Sequence, residues 1–126
     1  AGADFVQTQF CFDAGVVRRY AQRLGDEGLT EDLFILIGIG PPASARSARW
    51  MRDNLFGTLM PDAVIERLEG AADARAEGVD ICGELLQELA DIPGIAGAHI
   101  MAPLNEASVT EVIERSGVVK GRRGPQ

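Results

Sequence analysis

Leu33-Phe34-Ile35-Leu36-Ile37-Gly38-Ile39-Gly40-Pro41-Pro42 is the stretch that decides the fold. Its first five residues form a continuous apolar run, preceded by Glu31 and Asp32. A run of that length without polar alternation predicts a strand covered on both faces, as in a parallel sheet. Gly40-Pro41-Pro42 ends it, because proline has no N–H to give a ladder.

On the N-terminal side, Ala3 to Phe10 reads as a strand with Phe5-Val6 as its β-prone centre, running into a loop at Phe10-Cys11-Phe12. From Asp13, an N-cap type, Val16, Val17, Tyr20 and Leu24 recur at helical spacing until Gly25 and Gly28. On the C-terminal side, a helix from about Ser44 places Ala48, Met51 and Leu55 on one face. A second begins at Pro61, carries Val64, Ile65 and Leu68, and stops at Gly70. A third runs from about Ala72 to Leu89 with Val79, Cys82, Leu85, Leu86 and Leu89 as its stripe. After the Pro93-Gly94 turn, Ile95 to Met101 reads as a strand. The last helix has Ser108 and Glu111 in capping-box spacing and Gly117 as its stop. The order is β-α-β-α-α-α-β-α, which implies parallel strands and right-handed crossovers. Three strands cannot close a barrel, and as an open sheet they leave both edges unpaired. A piece of an eight-stranded barrel accounts for the count. The absence of an initiator Met before Ala1 points the same way, to a piece of something longer.

The 126 residues are 46% hydrophobic and 25% charged, a globular balance that argues against disorder outside the segment from Lys120 to Gln126. A net charge of −7 argues against nucleic acid and acidic membranes as partners, and no run reaches the length of a membrane span. Cys11 and Cys82 stand too far apart for metal-ligand spacing and read as free, buried thiols of a reducing compartment. With one histidine and two distant cysteines, no metal set forms, and no nucleophile triad is recognisable. No basic-then-apolar leader stands at the start, so a cytoplasmic location is expected. Arg18, Arg19 and Arg23 read as a solvated face. Arg46, Arg49 and Arg52 share one helix face and read as solvated too, with attraction of a ligand carboxylate or phosphate as the alternative.

Three segments carry a family resemblance. Gly2-Ala3-Asp4-Phe5-Val6-Gln7-Thr8-Gln9-Phe10-Cys11-Phe12-Asp13 resembles the "GADF..TQ.FFD" strand of methylenetetrahydrofolate reductases. Ile37-Gly38-Ile39-Gly40-Pro41 is similar to that family's "PGI.P" segment, with Ile37 at the first proline. Gly97-Ala98-His99-Ile100-Met101 through Asn105 is similar to its final "G.HFYTLN" strand and turn. Their order and the long helical insertion before the last strand also agree. The resemblance implies an α/β fold that is a partial (βα)8 TIM barrel: its last three parallel strands with their helices. Residues 1–118 would be that C-terminal barrel portion and 119–126 a flexible tail.

The activity this implies is reduction of 5,10-methylenetetrahydrofolate to 5-methyltetrahydrofolate by FAD, itself reduced by NAD(P)H, in a full-length enzyme expected to be a homo-oligomer. FAD would be held mostly by strands outside this chain, and no catalytic residue falls inside it. The expected folate-binding positions are Gln9, Phe10, Gly38, Gly40, His99 and Met101, which fall at strand C-terminal ends, where barrel active sites lie. Gln9 matches the family glutamine that bonds the pterin; an amide both donates and accepts, as a pterin edge requires. Phe10 and Phe12 could flank a ring or pack a core. Gly38 and Gly40 would admit backbone near a ligand, or serve tight turning alone; the pattern is not a dinucleotide fingerprint. His99 reads more readily as a hydrogen-bonded structural residue than as a catalyst. The last strand departs from the family: Met101 replaces an aromatic, Pro103 is inserted, and Glu106 stands at an arginine position. These departures leave two alternatives, a folate-binding methyltransferase or demethylase barrel without flavin chemistry, and a non-catalytic half-barrel module.

Overall fold

A computed structural model of the chain describes residues 2–118. The element order is the expected one: β1 (Phe5–Phe10), α1 (Ala14–Asp26), β2 (Phe34–Ile39), α2 (Ala45–Asn54), α3 (Asp62–Glu69), α4 (Ala74–Ala90), β3 (Gly97–Ile100) and α5 (Ala107–Ser116). The first and last strands are shorter than the expected 3–10 and 95–101. The tail expected over 119–126 lies outside the described residues.

The helices start where a side-chain oxygen meets orphan N–H groups. Asp13 accepts from Val16 at 3.2 Å, Ser44 from Ser47 at 3.0 Å, and Asp73 from Ala76 at 3.1 Å. At the last helix the expected capping box does not form. Ser108 lies inside α5, and the cap position is Glu106, which makes no side-chain cap bond. The reason is competition: Ser108 and Glu111 are both bonded to Arg75 of α4.

The strands form one parallel sheet in the order β1-β2-β3. Ile35, Ile37 and Ile39 are at most 1% exposed and pack with Val17 and Ala21 of α1 and Cys82, Leu85 and Leu89 of α4. The expectation of a strand buried on both faces holds for one face only. On the other, Phe5 is 56% and Phe34 66% exposed, because all the helices that cover β2 lie on the isoleucine side. The β1–β2 register runs Phe5↔Phe34, Val6↔Ile35, Gln7↔Leu36, then slips to Phe10↔Gly38. One extra residue in β1 makes a bulge. There the Thr8 hydroxyl accepts the Gly38 N–H at 2.9 Å. Beyond it, Leu59 bridges Cys11, giving its N–H to Phe10 and accepting that of Phe12.

Candidate functional site

Where β2 and β3 end, the chain turns at Gly40-Pro41-Pro42 and at Ala102-Pro103, and Ser47, Trp50 and Met51 of α2 lie near both turns. The space between is a cavity of about 220 Å³ whose walls include Phe10, Gly40, Pro42, Trp50, Met51 and Met101. Its lining contains no charged side chain. The volume falls below the roughly 300–1,000 Å³ of a complete small-molecule site, so it suits one flat ring or part of a larger ligand.

Three of the six expected positions meet there: Phe10, Gly40 and Met101. The bulge brings Phe10 level with Gly38, where it is buried at the cavity. Phe10 and Phe12 are both buried, their rings 6.1 Å apart and nearly parallel, so one serves as a cavity wall and both as core. Gly40 is a point of close approach: a Cβ there would run into the Met101 carbonyl and come within 2.8 Å of the Phe10 ring. Gly38 lies outside the cavity lining. Over it sit the Thr8 and Gln9 carbonyls, 2.5 and 2.9 Å from a hypothetical Cβ, and the Met101 methyl at 2.9 Å. These glycines therefore let protein backbone and Met101 pack close. His99 is half-buried on β3, in register with Gly38.

Gln9 goes elsewhere. Its side chain runs beside Gly57, and its Oε1 accepts the N–H of Phe10 at 2.9 Å. It borders a separate recess of about 200 Å³ shared with Val16, Val17 and Tyr20 of α1. Side chains alternate along a strand, so the slip that turns Phe10 towards the cavity turns Gln9 away from it.

Trp50 was not among the expected residues, although it is 57% exposed at the cavity. The face read for α2 was the one that packs, and Trp50 lies off it. A lone tryptophan just after a glycine-proline turn was the available signal. Asn105, the last residue of the segment similar to the family's final strand and turn, also lines the cavity. Of the arginine cluster, Arg49 pairs with Glu69 and Arg52 with Asp53 and Asp62. Those charges tie α2 to its surroundings instead of facing the cavity. The site fits an aromatic ring and not the diphosphate of a dinucleotide.

Both cysteines are buried and free. Burial raises the Cys11 thiol and pushes that of Cys82 up to about 12, so neither is disposed to act as a nucleophile. Among the described residues no three His, Cys, Asp or Glu side chains are grouped to hold a metal, and no helix is long and apolar enough to cross a membrane.

A family model described as methylenetetrahydrofolate reductase matches residues 1–117. The match spans all three strands and the cavity at their ends, and the chain therefore belongs to the methylenetetrahydrofolate reductase family, oxidoreductases of one-carbon metabolism.

Proposed function

We propose that this chain supplies the last three staves of a (βα)8 barrel that reduces 5,10-methylenetetrahydrofolate to 5-methyltetrahydrofolate with NAD(P)H and flavin. The observation that carries the reading is an uncharged, aromatic-walled cavity at the C-terminal ends of parallel strands, in a chain of this family. Flavin, when bound, supplies the hydride. Phe10, Trp50 and Met101 offer apolar surface to a ring and exclude water from one side of it. The lining has no cation for the cofactor's phosphates, so those contacts would lie outside this cavity. The open sheet face and the outer edges of β1 and β3, which among the described residues pair with no further strand apart from the Leu59 bridge at the end of β1, supply the surfaces on which further strands would add.

For Gln9, a pterin contact requires that the side chain give up its bond to Phe10 and that the end of β1 reorient, since it lies outside the cavity lining. His99 and Gly38 lie one layer below the cavity and take a supporting part.

The test uses the protein expressed from its complete gene. A visible flavin band bleached by NADH or NADPH, and restored by 5,10-methylenetetrahydrofolate, is the expected result. A colourless protein that still binds 5-methyltetrahydrofolate would replace this reading with a flavin-free folate barrel.

A further inference from the structure

In a cavity without charge, the polar atoms that remain free decide what binds. Ser47 lines it, but its hydroxyl is occupied, donating to the Ser44 carbonyl at 2.9 Å and accepting the Ser44 N–H at 3.1 Å. Asn105 is different. Its Oδ1 accepts the hydroxyl proton of Ser108 at 2.7 Å, and among the described residues its amide nitrogen has no partner. Ser108 is fully buried inside α5 and is gripped from the far side by Arg75 of α4, whose Nη2 donates to Oγ at 2.9 Å. Arg75 also holds Glu111 at 2.7 Å. A guanidinium can only donate. Arg75 supplies one proton to the Ser108 oxygen, and the hydroxyl's own proton goes to the Asn105 oxygen. The amide is thereby held by its oxygen, and its N–H₂ end is left free on a residue that lines the cavity.

We propose that Arg75 and Ser108 are positioning residues that fix the Asn105 amide as a hydrogen-bond donor to the acceptor edge of a flat, uncharged ring. This rests on the reading of the cavity as a ring site. It adds which atom recognises the ring and what orients that atom. Charge near the turn does not compete for the ligand: Glu111 neutralises Arg75, and Glu106 accepts the N–H of Leu104 at 3.2 Å. The ring favoured is one with a carbonyl or ring nitrogen at its rim, as in a pterin or an isoalloxazine, over a phosphate or a carboxylate.

The experiment is calorimetric titration of the protein from its complete gene with two probes, 5-methyltetrahydrofolate and lumichrome, the bare uncharged tricyclic ring of flavins. Asn105→Asp keeps an acceptor for Ser108 and removes the donor; it is expected to weaken binding of the ring about tenfold or more. Ser108→Ala, close in volume, is expected to weaken it about threefold to tenfold, and to have no further effect once Asn105→Asp is present. Arg75→Lys, which keeps the charge for Glu111 but loses the fork, should match Ser108→Ala and guards against a folding artefact, with circular dichroism as the check. Binding of both probes that ignores Asn105→Asp, or additive losses in the double variant, overturns the inference and leaves the functional reading standing. Sensitive binding of lumichrome without binding of the folate supports the inference and sinks the folate reading. Failure to bind either probe overturns both.

Discussion

A methyl group added at Gly78 would collide with the backbone of Pro42, since α4 passes directly against the turn that forms the cavity wall. In an isolated helix, glycine to alanine stabilises by about 1 kcal/mol. Here the collision is with backbone, which cannot rotate aside, so Gly78→Ala is expected to destabilise by about 2–3 kcal/mol in urea unfolding. A neutral or stabilising result would mean that the turn yields freely. Cys82 makes a second residue-scale case. Burial holds its thiol at about 12 against an ordinary 9.0. Between those values the unfolded chain has released the proton and the folded chain has not. Stability therefore falls as pH rises through that window. Comparing unfolding curves at the two ends of the range, Cys82→Ala should show a shallower decline than the parent. Equal slopes would show that the thiol is not responsible.

At the scale of elements, ion pairs link neighbouring helices across the outside of the molecule. Arg67 of α3 donates to Glu77 at 2.6 Å and to both oxygens of Glu84, at 2.6 and 3.0 Å, on α4. Those bonds hold the Glu84 carboxyl below its usual range. The contribution is present above the unfolded carboxylate value and is lost as pH falls through the folded one. The pairs are exposed and screened, so Arg67→Ala is expected to cost no more than about 1 kcal/mol, with less loss in high salt. A larger, salt-independent loss would indicate that the arginine stem matters more than its charge. The start of α5 teaches a related lesson. A serine and a glutamate at capping-box spacing belong here to an arginine more than thirty residues earlier. A local pattern yields when a charged partner reaches it first.

The described residues form one sheet with helices on its isoleucine side and an open face opposite. Phe5 and Phe34, more than half exposed, give that open side an apolar surface. If it faces a barrel interior in the product of the complete gene, Phe34→Ser should cost about 3 kcal/mol there, the usual penalty for losing a buried aromatic. A cost under about 0.5 kcal/mol, the range of exposed positions, would leave the face in water. The same one-sidedness explains why Leu33 to Ile37 reads as doubly buried: an apolar run records that both faces want cover, and in the described residues only one receives it.

How much of this was legible in the chain divides by distance. The alternation of strands and helices, the helix-covered isoleucines, and stops such as Gly70 and Gly117 follow from residue types and periods within a few positions, which is where backbone propensity and burial pattern act. The resemblance carried by 2–13, 37–41 and 97–105 also lay open to reading, and the family match bears it out. What needed the tertiary structure was the one-residue slip in β1 that parts Gln9 from Phe10, the placing of Trp50 on the cavity wall, and the capture of Ser108 by Arg75. Each depends on the register or approach of elements distant in sequence. Only the packed sheet and helices determine how those elements meet.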